Sequence, residues 1–298
     1  MNARIQAHIA LFFVALIYGG NYSFAKLVLE TGYLQPRAFI LLRVLAGLTF
    51  FTLLHFTVIR KKVERADLLR LALCGLFGVA INQLFFFMGL HLTKPINASL
   101  IMTTTPILVL VISALLIGER ITARKIIGIL LGATGAILLV GAGQQISFEA
   151  TGFLGDLLVF INAASYGIYL VIVKKMMLKY HPFTVLRWMF TFGLFMVLPF
   201  SIQELPDAQW SDFTPLLWWS LAYVLFATTI LAYLLNGYAL KVVNPSTASI
   251  YIYLQPVLAA LIAILLRHDT LDPIKLISAT LIFAGVFLVS RSARAKNT

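Results

Sequence analysis

The sequence predicts an all-α integral membrane protein in which ten transmembrane helices form two inverted five-helix repeats around a central cavity. Three observations lead to this fold class: a composition too apolar for a soluble domain, ten segments of membrane-spanning length, and a second half that repeats the first. Five spans in each half is an odd number, so the two halves would enter the bilayer with opposite orientations.

The composition excludes most soluble classes of protein. Hydrophobic residues make up 61% of the 298 positions and charged residues 11%, and the mean hydropathy is +0.95. So few charges cannot cover the surface of a soluble domain of this length. The one cysteine, Cys74, excludes an internal disulfide or a thiolate metal site. The histidines have no metal-ligand spacing. We therefore expect neither a metal nor a cofactor.

Ten apolar segments of about 20 residues, the length that crosses a bilayer, follow one another along the chain. The connections between them are short and rich in Gly, Pro and acidic residues, and none is long enough to hold a soluble domain. The loop at 141–152 divides the chain into a first repeat, 1–145, and a second, inverted repeat, 146–298. The predicted spans are 8–30, 36–57, 67–91, 95–118, 122–142, 152–173, 180–202, 214–240, 245–267 and 271–290.

The positive charges indicate the orientation in the membrane. The net charge is +12, but Lys and Arg lie in the connections rather than in a basic domain, which argues against a nucleic-acid partner. Sixteen of them fall on the side of the two termini, four on the opposite side and three within spans. The positive-inside rule then predicts that both termini are cytoplasmic.

The internal repeat is visible as residues that recur at a fixed distance. The segment from Pro95 to Pro106 realigns on the segment from Pro245 to Pro256, an offset of 150 residues that continues without a gap into the next span. Smaller shifts relate the first span to the sixth. Inverted repeats of this kind are the architecture of secondary transporters, whose substrates bind near the bilayer midplane.

Several motifs, in this order and spacing, resemble those of the EamA family in the drug/metabolite transporter superfamily. Residues 18–26 resemble the W-G-x-N/S-x-x-x-x-K opening of its first span, and residues 42–46 resemble its R-F-L-L-A motif. Residues 98–120 resemble the A-S-x(6)-P…G-E-R/K signature, and residues 155–158 the G-D-x-L opening of the second repeat. Tyr18 replaces the common Trp, a mild departure.

The resemblance implies a basket of ten helices that moves small metabolites by alternating access through the bacterial inner (cytoplasmic) membrane. The partners expected on this basis are a small-molecule substrate and the lipid bilayer, and the unit is expected to be a monomer or a homodimer. The resemblance implies many possible substrates and does not select one.

Polar side chains at mid-membrane depth predict the substrate cavity. Ser99 and Thr103 in the fourth span occupy positions equivalent to Ser249 and Tyr253 in the ninth, and polar faces related by the repeat should line the pseudo-two-fold axis. The predicted cavity consists of Asn21, Tyr22, Lys26, Asn82, Gln83, Ser99, Thr103, Asn162, Tyr166, Tyr169, Tyr233, Asn236, Ser249, Tyr251, Tyr253 and Gln255.

The charged residues within or beside the spans receive separate interpretations. Lys26 is either a cavity cation for a carboxylate or phosphate, or a side chain that reaches the outer headgroups with Glu30 as its i,i+4 partner. We interpret Arg43 and Glu119 as structural charges, and Asp156 as an acid that caps the start of the sixth span.

Two prolines predict mechanical elements of the repeats. Pro106 and Pro256 each remove a backbone donor inside a span, so they can act as matching hinges, or as static kinks that widen the cavity.

The sequence therefore predicts a secondary transporter of small polar metabolites, amino acids or related compounds first among them, with export favoured by the family resemblance. One alternative from the same superfamily is an antiporter of phosphorylated sugars or nucleotide sugars that uses Lys26 and Arg43 as anion clamps. A different class, an integral-membrane enzyme, would need a catalytic cluster such as H-E-x-x-H, which the sequence lacks.

Overall fold

The structure is a computed structural model that describes residues 2–59, 62–93, 95–141, 152–265 and 272–292. Within these ranges, all of the regular secondary structure is helical. The predicted boundary between the repeats, at residues 145 and 146, lies outside the described residues.

Within the described residues, ten helices are long and apolar enough to cross a membrane, so the predicted fold class is confirmed. We number them α1 to α10 in chain order. Their bounds are Ala3–Glu30, Pro36–Ile59, Arg65–Leu92, Asn97–Ile117, Ala123–Gly141, Phe153–Lys179, Pro182–Glu204, Pro215–Val242, Pro245–Ile262 and Pro273–Arg291.

The helix packing follows the symmetry of the repeat. In the first half α1 packs against α8 and α9, and in the second half its counterpart α6 packs against α3 and α4. The symmetry-related pairs α2 with α7 and α5 with α10 pack against each other. Every one of these contacts joins one half of the chain to the other. The two repeats are therefore interleaved rather than placed side by side.

Local sequence sets the helix ends and the closest helix crossing. Proline occupies one of the first two positions of α2, α7 and α8, where its missing N–H costs no hydrogen bond. Gly118 ends α4 with a φ of 64°, a left-handed conformation that glycine adopts without strain. Where α5 crosses α10, a Cβ on Gly128 would lie 2.8 Å from the carbonyl oxygen of Gly285, so only glycine permits this approach.

Helices α4 and α9 are interrupted at equivalent depths. In α4 a turn at Thr103 and Thr104 breaks the helix, and their hydroxyls donate to carbonyl oxygens three residues earlier at 2.6 and 2.7 Å. In α9 the backbone tightens to a 3-10 turn over Ile250–Tyr253. Pro106 and Pro256 each follow the interruption closely, so both predicted hinge prolines begin the second segment of a broken span. Their movement stays a prediction.

Candidate functional site

A cavity of about 90 Å³ lies where both halves meet near the middle of the bundle. Seven helices contribute to it: α1, α2, α3, α4, α6, α8 and α9. We call it the central cavity, and it is lined by Tyr18, Asn21, Arg43, Asn82, Gln83, Phe86, Phe87, Met102, Asn162, Tyr166, Tyr233, Ile252 and Gln255. Amides, tyrosines and one guanidinium therefore surround a space large enough for several water molecules or a small polar group.

Arg43 is the charged residue of this lining. It lies two turns into α2 and is only 5% exposed. Its Nε donates to the Thr229 hydroxyl at 2.9 Å, and its guanidinium carbon lies 5.2 Å from the centre of the Phe87 ring. Among the described residues, no acidic side chain forms an ion pair with it. A cation buried in this way is left with unused donors that face the cavity.

Three amide oxygens in the central cavity also lack partners, and one of them is Oε1 of Gln83. Asn162 donates from Nδ2 to the carbonyl oxygen of Asn82 at 2.6 Å, but its Oδ1 is buried without a hydrogen bond, and so is Oδ1 of Asn21. The Tyr233 hydroxyl, by contrast, is used in the scaffold, where it donates to the carbonyl oxygen of Gly78 at 2.8 Å. Buried acceptors without partners are rare in proteins and indicate that a ligand or water completes them.

A second chamber of about 460 Å³ adjoins the central cavity between α4, α5, α9 and α10. The two spaces share Met102, Ile252 and Gln255 in their linings. At the start of α10, Lys275 Nζ lies 2.8 Å from Asp272 Oδ2. The hydrogen bonds from Lys275 hold the pKa of the Asp272 carboxyl below its ordinary value. The side chain of Asp272 is 41% exposed, so this ion pair lies at the mouth of the chamber.

The opposite end of the bundle is closed by a buried polar cluster. Lys125 Nζ lies 2.7 Å from Glu119 Oε1 and also donates to the carbonyl oxygen of Arg120 at 2.7 Å. The Ser246 hydroxyl donates to the same carboxylate oxygen. We call Glu119, Lys125 and Ser246 the Glu119 cluster. All three are at most 8% exposed, and they join the α4–α5 connection of the first repeat to the start of α9 in the second.

The structure brings many of the predicted site residues together. Seven lie in the central cavity: Asn21, Asn82, Gln83, Asn162, Tyr166, Tyr233 and Gln255. Ser99, Thr103, Tyr253 and Gln255 line the second chamber. Within it, the Tyr253 hydroxyl donates to the carbonyl oxygen of Thr103 at 3.0 Å, which ties α9 to the break in α4.

Other predicted residues serve the scaffold in this structure. Tyr169 is 1% exposed and packs beside Tyr166, and Asn236 Nδ2 lies 3.4 Å from the Tyr166 hydroxyl. The Tyr251 hydroxyl lies 2.8 Å from His8 Nδ1, and Ser249 donates to a carbonyl oxygen in its own helix. These side chains support the cavity walls rather than face the space inside.

Three further predicted residues lie at the ends of helices or outside the described part. Lys26 does not reach the central cavity, because its side chain is 53% exposed and its Nζ lies 3.2 Å from Glu30 Oε1. This pairing agrees with the second of the two interpretations, in which Glu30 is the i,i+4 partner of Lys26. Asp156, in the first turn of α6, accepts a hydrogen bond from the Thr93 hydroxyl at the end of α3. The side chain of Tyr22 lies outside the described part of α1.

Comparison with known proteins identifies the family. The model of the EamA-like transporter family matches this chain twice, over residues 5–141 and 153–291. The chain belongs to the EamA-like transporter family. It is therefore a membrane transporter of the drug/metabolite transporter superfamily, and its two family matches correspond to the two sets of five helices.

Individual relatives are distant but span the chain. An uncharacterized transporter of Archaeoglobus fulgidus is 27% identical over 97% of this chain and 98% of its own length. A probable terminal-alkyne amino-acid exporter of Streptantibioticus cattleyicolor is 24% identical over 78% of this chain and 76% of its own length. One crystal structure superposes with a TM-score of 0.79 at 20% identity, over 98% of this chain and 99% of that one, and shares the fold.

Removal of the carboxylate from the Glu119 cluster should destabilise the protein. Glu119→Ala leaves the Lys125 ammonium buried without its partner, which typically costs about 3–5 kcal/mol. We expect a lower thermal unfolding midpoint for purified protein in detergent. The double variant Glu119→Gln/Lys125→Met, which removes both charges, should recover most of the loss.

The exposed pair of Lys179 with Glu64 provides the control for this measurement, because their side chains are 41% and 65% exposed. Exposed pairs contribute about 0–1 kcal/mol, so Glu64→Ala should leave the midpoint almost unchanged. An unchanged midpoint for Glu119→Ala, or an equal loss in the double variant, would contradict the role of the cluster.

Proposed function

We propose that the protein transports amino acids or closely related zwitterions, and that it binds their carboxylate at Arg43. The observation that carries this proposal is a buried guanidinium with no acidic partner among the described residues, set beside amide oxygens without hydrogen bonds. A carboxylate matches the planar donors of Arg43. An ammonium group would donate to Oδ1 of Asn21 and Asn162, two of the unused acceptors of the same cavity.

Aromatic rings support the recognition of an ammonium group without an acidic residue. Tyr18, Phe86, Tyr166 and Tyr233 line the central cavity, and a cation held over such rings gains about 0.5–2 kcal/mol. No described residue of the lining is acidic. A free organic cation would therefore meet the repulsion of Arg43, whereas a zwitterion would neutralise it.

The charge count favours a carboxylate over a phosphate. Arg43 is the single basic side chain among the described residues that line the central cavity, and Lys26 points away from it towards Glu30. A phosphate monoester carries nearly two negative charges at neutral pH and needs more cations than one. The antiporter of phosphorylated sugars, the alternative from the sequence, is therefore less well supported.

Rocking of the two repeats is the transport cycle that we propose. Lys125 is buried with Glu119 and with Ser246 of the second repeat, while its counterpart at the 150-residue offset, Lys275, lies in the lining of the second chamber beside Asp272. In the opposite state, α4 would close against α10 and the contact of Ser246 with Glu119 would open.

The charge distribution and one relative support the orientation and the direction that we propose. The distribution of Lys and Arg supports cytoplasmic termini in the inner membrane, so that the Glu119 cluster is cytoplasmic and the second chamber opens outwards. Export is supported by the naming of one distant relative as a probable exporter. One chain contains the complete central cavity, so the monomer is the proposed unit of transport, with or without a second copy.

Neutralisation of Arg43 should weaken amino-acid binding. We expect a panel of L-amino acids to raise the unfolding midpoint of the wild-type protein, because a ligand that binds only the folded state stabilises it. Arg43→Gln removes charged hydrogen bonds of about 1.5–3 kcal/mol, so affinity should fall about tenfold to a hundredfold. Sugar phosphates should give no stabilisation.

Arg37→Gln is the matched control, since Arg37 lies on the same helix and its side chain is 45% exposed beside Glu204. It should bind amino acids as the wild type does. Stabilisation by sugar phosphates but not by amino acids, or equal binding to wild type and Arg43→Gln, would contradict the proposal.

Cysteine labelling tests the difference between the two ends. The single native thiol, Cys74, is fully buried, so the Cys74→Ser variant provides a background without any thiol that the maleimide could label. In that background Ser99→Cys, in the second chamber, should react with a membrane-impermeant maleimide applied to intact cells. Thr247→Cys, which replaces a fully buried side chain beside the Glu119 cluster, should not. Reaction at position 247 with protection at position 99 would reverse the assignment of the ends.

A further inference from the structure

The middle of α8 is wound more loosely than a regular α-helix. Over Val224–Leu231 the backbone forms a π-helix, and at the end of this segment a backbone N–H donates to the carbonyl oxygen five residues earlier. Helix α3, the repeat counterpart of α8, has a π-helical segment at the equivalent depth, over Leu76–Ala80. The two segments end just before Tyr233 and Asn82, which both line the central cavity. Such π turns are rare in proteins and occur often at functional sites.

Thr229 lies in the π segment of α8 and is fully buried. Its hydroxyl donates to the carbonyl oxygen of Val224, five residues earlier, at 3.0 Å. In a regular helix a threonine hydroxyl bonds a carbonyl three or four residues earlier, so this longer reach depends on the π turn. Because the hydroxyl hydrogen is used in this way, the oxygen is left to accept from Nε of Arg43 at 2.9 Å. The π segment therefore presents a fixed acceptor to Arg43.

The guanidinium of Arg43 is held by α8 and by α3. The Thr229 hydroxyl on α8 engages Nε, and the centre of the Phe87 ring on α3 lies 5.2 Å from the guanidinium carbon. Phe87 is 2% exposed and packs edge to face against Phe39 and Phe86, so its ring is fixed as well. With Nε engaged, a ligand is left the two terminal nitrogens, a planar pair that matches the two oxygens of a carboxylate end-on.

The repeat makes Thr229 a distinctive residue. Helices α3 and α8 have equal lengths, and their bounds differ by 150 residues. At this offset the counterpart of Thr229 is Val79, which is also fully buried but has no hydroxyl. The π turn is therefore common to both repeats, whereas the acceptor for Arg43 belongs to the second repeat. This difference between equivalent helices favours a role for Thr229 in the site rather than in the shared scaffold.

We infer that Thr229 is a positioning residue, which fixes the guanidinium of Arg43 so that both terminal nitrogens meet the substrate carboxylate end-on. This inference rests on the proposed function, because it assumes that a carboxylate binds at Arg43. Thr229 acts through Arg43 and does not touch the substrate itself. Without its hydroxyl the guanidinium keeps its charge but loses its fixed orientation, so the two hydrogen bonds to the carboxylate no longer form together.

Removal of the hydroxyl tests this inference in purified protein, with the L-amino acid of the panel that binds the wild type most tightly. Thr229→Val keeps the shape of the side chain, and we expect it to weaken binding at least about fivefold. Thr229→Ser restores the hydroxyl and should return the affinity to within about twofold of the wild type. Thr229→Ala, which removes the hydroxyl without adding an atom, replaces the valine variant if that one does not fold.

Thr228→Val is the matched control. Thr228 lies in the same π segment, is also fully buried, and donates to the same carbonyl oxygen of Val224 at 2.7 Å. Its replacement removes an equivalent hydrogen bond but leaves Thr229 in contact with Arg43, so the affinity should stay within about twofold of the wild type.

A combined variant shows whether Thr229 acts through Arg43. When Thr229→Val is added to Arg43→Gln, the affinity should change less than about twofold, because the group that Thr229 positions is already absent. A further loss as large as in the wild-type background would mean that Thr229 acts on the ligand or on the fold by another route.

The outcomes separate this inference from the proposed function. A loss in Thr229→Val that serine restores, and that disappears in the Arg43→Gln background, supports it. Unchanged binding in Thr229→Val, an equal loss in Thr228→Val, a failure of serine to restore binding, or a full further loss beside Arg43→Gln overturns it. Amino-acid binding that is weakened by Arg43→Gln would still support the proposed function in each of these cases. If the wild-type protein binds no amino acid, the proposed function fails first and the positioning role fails with it.

Discussion

The burial of Arg43, which has no acidic partner in the described part of the chain, is the constraint on which the proposed site depends. The transfer of a charge from water into a protein interior costs several kcal/mol even after relaxation. The hydrogen bond to Thr229 offsets about 1.5–3 kcal/mol of this cost. The contact with the Phe87 ring offsets up to about 2 kcal/mol. On our proposal, an anion that enters the cavity would meet a site already formed for it. Binding energy would come from completion of this environment rather than from a new conformation.

Symmetry explains how one bound substrate can influence both ends of the bundle. The helices that line the central cavity pack across the repeats: α3 and α4 contact α6, and α1 contacts α8 and α9. A ligand that draws Arg43 of the first repeat and Asn162 of the second together acts on that interface directly. The buried Glu119 cluster resists opening at one end, while at the other end the second chamber of about 460 Å³ lies between α4, α5, α9 and α10. A bias between two packed states, rather than a continuous deformation, follows from these contacts.

The fold could be predicted from the sequence because the patterns that indicate it are long and periodic. Ten apolar segments, the spacing from Pro95 to Pro245 and the bias of positive charge each average over many residues. Polar members of the cavity such as Asn162 and Tyr166 were also predictable, since a polar side chain in an apolar span must find a partner. The direction in which the Lys26 side chain points from the axis of α1 was not predictable, because spacing along the sequence gives the depth of a residue in the membrane but not the side of the helix on which it lies.

The apolar residues of the site could not be predicted from the sequence for a related reason. Met102, Ile252 and Phe86 differ in no way from their neighbours within the spans, and only packing shows that they face the cavity. Arg43 was noticed in the sequence, but the lack of an acidic partner for it among the described residues is a property of the assembled bundle, which spacing does not give. The repeat did hold one unused signal: Met102 and Ile252 are counterparts at the offset of 150 residues.

A structure of the wild-type protein with L-leucine bound would test the central claim most directly. The account predicts density for the ligand in the central cavity, with its carboxylate oxygens within hydrogen-bond distance of the terminal nitrogens of Arg43 and its ammonium near the amide oxygens of Asn21 and Asn162. A ligand bound elsewhere, or one whose carboxylate points away from Arg43, would contradict it.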